Sequence, residues 1–273
     1  MPGPAVYFVS DAHFSVRNSD REREKRRRFA RFLEGLADAE RLYVAGDLFD
    51  FWFEYRRVMP AGFADVLLPL RQFVLDGGGV TLVGGNHDYW LGRQLSEEFG
   101  FQLAPGGLIA EHQGRRLRID HGDESLSGDR GYLALKALIR RRGFIAAARL
   151  LHPDFTFWAA ERLSHGSRWL DERGEEQGRP ERPLRLKRLL NESFDALIFG
   201  HLHLGFHWRY QRWDLLCLGD WMRRFSYARL LEGELSLLDD RGGRYPVEAV
   251  DDPDRIPHCR IRPRTAGTGG GAG

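Results

Sequence analysis

Two histidines stand one residue apart at the end of an apolar run, Leu197-Ile198-Phe199-Gly200-His201-Leu202-His203. On an extended segment residues i and i+2 point the same way, so both imidazoles can address one point just past the strand end. Alone, the pair reads first as two histidines of an ordinary surface loop. Four more apolar runs end alike, however: Val6-Tyr7-Phe8-Val9 into Ser10-Asp11-Ala12-His13, Leu42-Tyr43-Val44-Ala45 into Gly46-Asp47, Val80-Thr81-Leu82-Val83 into Gly84-Gly85-Asn86-His87-Asp88, and Arg116-Leu117-Arg118-Ile119-Asp120 into His121-Gly122-Asp123. Carboxylate, imidazole and amide groups thus recur at the carboxyl ends of successive strands, where open α/β sheets place their ligands. A mixed N/O donor set without thiolate suits manganese, iron or zinc, and its histidine content argues against a pure magnesium or calcium cage. Asp47 supplies hard oxygens able to bridge two cations, and Gly46 lets the backbone turn tightly beside them. His87, oriented by a carboxylate such as Asp88, suits proton transfer near neutral pH.

The elements that must position these groups follow from periodicity. Strand one, about Pro4 to Val9, delivers Asp11 and His13 on the loop behind it. Arg21 to Ala37 is dense in charge, but Phe29, Phe32, Leu33 and Leu36 recur at helical spacing and predict an amphipathic helix covering a sheet. A second helix runs from Ala61 to Leu75 and stops at Gly77-Gly78-Gly79, and a short third lies around Leu91 to Phe99. This βαβ rhythm points to a parallel sheet with covering helices. Leu108 to His112 and Arg115 to Asp120 flank Gln113-Gly114 as a hairpin whose second arm presents His121. After Ala196, the short runs Phe206 to Tyr210, Asp214 to Leu218, Tyr227 to Leu231 and Glu234 to Leu238 read as antiparallel sheet. The aromatics of Leu48-Phe49-Asp50-Phe51-Trp52-Phe53 read first as core, with a substrate platform as the alternative.

A chain of 273 residues with a formal net charge of +2 holds a sizeable core and lacks the overall basicity of a general nucleic-acid binder. Cys217 and Cys259 form no CxxC pattern, so neither a disulfide framework nor a thiolate zinc site is expected. No secretory signal or membrane-spanning run is evident, which makes a reducing cytoplasm the expected compartment. The glycine-rich stretch from Arg262 to Gly273 predicts a disordered tail behind one domain over residues 1–261.

Asp11-x-His13, Gly46-Asp47, Gly85-Asn86-His87-Asp88, His121 and Gly200-His201-x-His203 together resemble, in order, the five signature blocks of the calcineurin-like metallophosphoesterases. The resemblance covers roughly Val6 to His203. It implies a four-layer α/β/β/α sandwich of two mixed sheets with a dinuclear metal site between their loops. It further implies that Asp11, His13, Asp47 and His203 hold one metal ion while Asp47, Asn86, His121 and His201 hold the other. Manganese leads among the metals, with iron or zinc as alternatives. His87, backed by Asp88, would neutralise transition-state charge or protonate the leaving oxygen.

Within that superfamily, Gly46-Asp47-Leu48-Phe49-Asp50-Phe51-Trp52, His121-Gly122-Asp123 and the long insert before His201 resemble the UDP-2,3-diacylglucosamine pyrophosphatases of lipid A synthesis. That resemblance implies water attack on the α-phosphorus, releasing UMP and 2,3-diacylglucosamine 1-phosphate. The best-known branch carries arginine where this chain has His87, whereas other relatives keep histidine. The insert, about residues 125–190, can be read on its own. From Tyr132 to Trp169 it sets apolar residues at helical spacing among Arg140-Arg141-Arg142, Arg149, Arg162 and Arg168. Such a segment suits an acyl-chain pocket or the anionic inner-leaflet surface, which would make the protein peripheral on the cytoplasmic face. Packing on the sandwich with the arginines in water is the plainer alternative. Asp123, Ser125, Arg130, Lys136, Arg140, Phe144 and Arg168 are the candidate contacts to a lipid-linked nucleotide sugar.

Three rivals stay open at this point. A phosphoesterase acting on nucleotides or phosphoproteins would treat acylated and unacylated substrates alike. A nuclease would want a long basic stripe, which the chain lacks. A non-enzymatic interaction module would not require the full ligand set.

Overall fold

The computed structural model describes residues 3–36, 38–88, 90–123, 130–160, 162 and 185–254, without the side chains of 130–133 and 135. Its frame is a pair of six-stranded mixed sheets. The first has the order β11-β10-β1-β2-β3-β4, built from β1 (Ala5–Val9), β2 (Ala39–Ala45), β3 (Gly79–Val83), β4 (Gln102–Ala104), β10 (Ser226–Leu231) and β11 (Glu234–Asp239). β1 to β4 run parallel, as the βαβ rhythm predicts, and β10 joins β1 antiparallel. The second sheet has the order β12-β8-β9-β7-β6-β5, from β5 (Leu108–His112), β6 (Arg115–Asp120), β7 (Ala196–Phe199), β8 (Gly205–Tyr210), β9 (Trp213–Leu218) and β12 (Val247–Ala249). The four late strands do form antiparallel pairs, β8 with β9 and β10 with β11, but the pairs belong to opposite sheets. β4 and β12, three residues each, are too short to leave a period in the sequence.

Alternation along each strand divides the core. Val6 and Phe8 of β1 point between the sheets with Ala45, Val83, Ile119, Ile198 and Leu216, while Tyr7 and Val9 point outward beneath the helices. Those helices are α1 (Asp20–Glu34) and α2 (Ala64–Leu75), which cover the first sheet with Phe29, Leu33, Val66, Leu67 and Leu70. Ser19 caps α1 by accepting from the Glu22 N–H at 3.2 Å. Over the outer face of the second sheet lie Leu186, in a 3-10 turn (Leu186–Arg188), and Phe194. A short α3 (Arg93–Glu97) is capped by the buried Glu54 carboxylate, which accepts from the Gly92, Gln94 and Leu95 N–H groups.

The insert contributes α4 (Arg130–Ile139), α5 (Arg142–Ala148) and a helical stretch over 153–160. It sits on the loops behind β2 and β3. Trp90 donates its indole N–H to the Ile139 carbonyl at 3.1 Å, Tyr55 its hydroxyl to Thr156 at 2.7 Å, and Arg149 its Nε–H to the Glu54 carbonyl at 3.1 Å. The run 48–55 therefore splits its aromatics: Phe49 and Trp52 enter the main core, while Phe51, Phe53 and Tyr55 pack toward the insert. Ser125, Arg168, Cys259 and the tail 262–273 lie outside the described residues, as does the Arg130 side chain.

Candidate metal centre

The loops behind β1, β2, β3, β6 and β7 meet at one end of the sandwich. Successive backbone bonds prolong the β1–β2 pairing past the strand ends: Asp11 N–H to Gly46 O (3.1 Å), His13 N–H to Asp47 O (2.9 Å) and Phe14 N–H to Leu48 O (2.9 Å). The two sheets are laced together there, because the His201 N–H donates to both carboxylate oxygens of Asp11 at 3.0 and 3.1 Å. Asp11, His13, Asp47, His201 and His203 all adopt left-handed backbone, with φ between 45 and 68°. Each such residue costs on the order of 1–3 kcal/mol and persists only where its surroundings over-determine it. Gly46, at φ 89°, also permits a close approach, since a β-carbon there would collide with the His121 ring.

The side chains converge accordingly. Around Asp11, its Oδ1 lies 3.6 Å from His203 Nε2 and 3.9 Å from His13 Nε2, and His13 Nε2 is 3.6 Å from Asp47 Oδ2. Around Asn86, its Oδ1 lies 3.0 Å from His121 Nε2 and 3.2 Å from His201 Nδ1, and His121 Nε2 is 3.3 Å from Asp47 Oδ2. Asp47 stands between the two groups. The His121 Nδ1–H donates to the Ala45 carbonyl at 3.0 Å, which fixes the tautomer and leaves Nε2 to the site, as a metal-bound histidine requires. Oxygen and nitrogen donors without a thiolate, buried at Asp11, His13, Asp47 and His121 and half-buried at Asn86, His201 and His203, fit a pair of divalent cations. Among the described residues, the clusters of possible metal ligands all fall here.

Electrostatics follow from this crowding. Burial pushes the Asp11 carboxyl up, more than His203 and His121 lower it. Burial acts likewise on Asp47, but His121, His87 and His13 outweigh it and hold that carboxyl well below the usual range. His121 is correspondingly raised well above the usual imidazole value, burial being overcome by Asp47, and burial beside His121 lowers His201 to about 4. A cation would displace the His121 proton and take over its partnership with Asp47.

His87 donates its backbone N–H to Asp47 Oδ1 at 2.9 Å, and its ring lies edge-on to His13 with centroids 4.7 Å apart. The orientation expected from Asp88 is corrected here. The ring Nδ1 meets the Asp50 carbonyl at 3.0 Å, whereas the Asp88 carboxylate accepts from the N–H groups of Gly85, Asp47, Leu48 and Phe49. Asp88 therefore joins the β2 and β3 loops. Burial, then the Asp47 charge, pushes it up to about 6. Asp50, which in the sequence stands inside an aromatic run, has Oδ1 3.9 Å from Nδ1 of both His13 and His87. The loop behind β9 was also missed. Its Trp221 N–H donates to the Asp11 carbonyl at 3.2 Å, while the buried Asp220 carboxylate accepts from the Met222 and Arg224 N–H groups. An apolar run ending in Gly219-Asp220 is the same signal that marked Asp47.

The substrate candidates distribute differently. Asp123 and Lys136, both buried, form an ion pair that ties the His121 block to α4. Arg140 lines a cavity of about 360 Å³ with Phe53, Trp90, Ile145 and Arg149. Phe144 stacks on Trp90, ring centroids 6.3 Å apart, with 40 % of its surface exposed.

The calcineurin-like phosphoesterase family model matches residues 4–205. A UDP-2,3-diacylglucosamine hydrolase of Porphyromonas gingivalis is 34% identical over 247 residues, covering 82% of this chain and 92% of its own. That of Haemophilus influenzae is 26% identical, covering 86% of this chain and 98% of its own. Among solved structures, the phosphoesterase Yfce from E. coli aligns at 17% identity with a TM-score of 0.46, covering 89% of this chain and 97% of that one, too loose a fit to carry an argument.

Proposed function

Because the chain belongs to the calcineurin-like phosphoesterase family of hydrolases, we propose that it cleaves the pyrophosphate of UDP-2,3-diacylglucosamine, giving UMP and 2,3-diacylglucosamine 1-phosphate. The supporting observation is the convergence of donors from five strand ends on Asp47 in a chain so similar to hydrolases of that substrate. Asp11, His13, Asp47 and His203 would hold one divalent ion and Asp47, Asn86, His121 and His201 the other, with manganese the metal of first choice. When bound, such a pair supplies Lewis acidity toward the phosphoryl oxygens and a nucleophilic water near neutral pH.

The chain's own groups do the rest. Among the described residues His87 Nδ1 faces the Asp50 carbonyl, an acceptor, so Nδ1 carries a proton throughout, and when the ring is doubly protonated its Nε2–H would neutralise phosphoryl charge and pass its proton to the leaving oxygen. Asp88 keeps the Asp47 loop in register with the His87 loop, which fixes the ring relative to the carboxylate. The cavity beside the insert joins apolar walls, Phe53, Trp90 and Ile145, to the guanidinium groups of Arg140 and Arg149, a lining suited to a substrate with acyl and phosphate parts. Ser125, Arg130 and Arg168 remain candidates on sequence grounds. Leu138, Phe144, Leu150, Leu151, Phe155 and Trp158 are exposed along the insert near Arg141, Arg142 and Arg149. This composition supports peripheral contact with an anionic inner leaflet, and no described helix is long and apolar enough to cross a membrane.

The test is to incubate the manganese-loaded protein in ¹⁸O-water with UDP-2,3-diacylglucosamine beside unacylated nucleotide diphosphates. Label in UMP, with strong preference for the acylated compound, is the expected result. Equal turnover of unacylated substrates would transfer the assignment to a general nucleotide phosphoesterase.

A further inference from the structure

One face of α1 is buried along Glu22, Lys25, Arg26, Phe29 and Leu33, the positions of a single helical stripe. Its apolar half covers the sheet. The charged half covers the loop that carries Asp11 and His13. Lys25 is 8 % exposed, and its ammonium donates to the carbonyls of Ala12 and His13, both at 2.9 Å. Glu22 completes the arrangement, with a carboxylate oxygen 3.0 Å from the ammonium and another accepting from the Ser15 N–H at 3.0 Å. Arg26 donates to the Ser15 carbonyl further along the same loop.

Three buried charges are an expensive way to cover a loop, because lysine, arginine and glutamate are rarely buried unless paired and a leucine would pack there at less cost. What the ammonium adds is direction. His13 has φ 45°, a left-handed backbone that is uncommon for any residue with a β-carbon and persists where its surroundings hold it, and Lys25 bonds the carbonyls on both sides of the His13 nitrogen and α-carbon. With those peptide planes fixed, the ring is aimed so that Nε2 comes within 3.6 Å of Asp47 and 3.9 Å of Asp11. Asp11 has other supports, the Trp221 and His201 N–H groups.

We propose that Lys25 is a positioning residue for His13, and through it for the divalent ion that Asp11, His13, Asp47 and His203 would share, an inference that rests on the two-metal reading above. The second ion, whose further ligands Asn86, His121 and His201 lie on other loops, does not depend on Lys25.

Manganese binding to the metal-stripped full chain tests this, followed by calorimetry and by electron paramagnetic resonance, with thermal unfolding of the metal-free protein alongside. Wild type should take up two ions and show the spectrum of a coupled pair. Lys25→Met should bind one ion as wild type does and the other roughly 10–100-fold more weakly, the range for losing an outer partner of a ligand. At limiting metal its spectrum should be that of an isolated ion. Lys25→Gln, which keeps an N–H donor, should recover part of the loss, and it stands in if the methionine variant does not fold. Equal weakening of both ions, or wild-type affinity at both, overturns the assignment. A wild type that binds no pair overturns the two-metal reading and this inference together.

Discussion

The ligand loops and the helical insert occupy neighbouring ground but are built on opposite plans. In the loops the backbone itself is the constraint: five candidate ligands, Asp11, His13, Asp47, His201 and His203, sit at positive φ, and bonds between the sheets tie Asp11 to His201. The insert is fastened by isolated side-chain contacts, Asp123 to Lys136, Trp90 to Ile139, Tyr55 to Thr156 and Arg149 to Glu54, and leaves Leu150 at 88 % exposure. A loop that stores strain can hold one geometry and tolerates little change. A helix seated on a few aromatics can change its lining without disturbing that geometry. On the proposed function, chemistry therefore belongs to the sandwich, and selectivity to what is added to it.

Substitution separates the two. The largest effect is expected for Asp47→Ala, which removes the carboxylate facing both donor groups and leaves His121 without its main partner; metal analysis should find the protein largely stripped and activity at background. His87→Ala should come next, losing about 10²–10⁴-fold in turnover, as for a lost general acid, while keeping its metal. If the two variants lost metal equally, the division between holding and proton transfer would fail. Phe144→Asp, or the same change at Phe157, whose half-buried ring lies edge-on to Phe51 with centroids 4.9 Å apart, should raise KM for the acylated substrate about tenfold or more, since burying an aromatic against an acyl chain is worth roughly 1.5–3 kcal/mol. Hydrolysis of a small phosphodiester should be unchanged. Matched losses on both substrates would make the insert a part of the scaffold and dissolve the comparison.

The same contrast governs what the sequence discloses. Asp11, His13, Asp47, Asn86, His121, His201 and His203 could be picked out because few residue types bind metal and each follows a recognisable strand. Asp50 could not, because its neighbours Phe49 and Phe51 give the segment an aromatic rather than a catalytic signature. The buried half of α1 was hidden for a related reason. Glu22, Lys25 and Arg26 share the helical period of Phe29 and Leu33, but a search for apolar periodicity passes over charged members of the stripe. In the insert the obstacle is different. Arginines among leucines at helical spacing satisfy packing, a lipid surface or an acyl pocket equally, and only partners from distant loops, Phe51, Phe53, Tyr55 and Trp90, show which contacts are made.

The smallest effect asks whether the rigidity of the ligand loops comes from the sandwich or from the ligands. Asp214 is the second residue of β9, at the end of the second sheet away from the loops, almost wholly buried. Its carboxylate accepts from Arg115 at 2.7 Å and Arg209 at 3.0 Å and lies 3.1 Å from His207 Nε2. Burial raises this carboxyl, but the bonds from His207, Arg115 and Arg209 outweigh it and hold it below the usual carboxylate range. A depressed carboxyl stabilises the fold fully above its unfolded value of about 3.9, and that contribution is lost as pH falls through the lower folded value. Asp214→Asn should thus cost about 2 kcal/mol near neutrality, the scale of a charged hydrogen bond. In denaturant titrations of the metal-stripped proteins the gap should stay level down to about pH 5 and close only in stronger acid. Metal affinity should not change. If it fell with stability, the positive-φ loops would be drawing their rigidity from the far end of the sheet, and the ligand region would no longer be a self-contained unit.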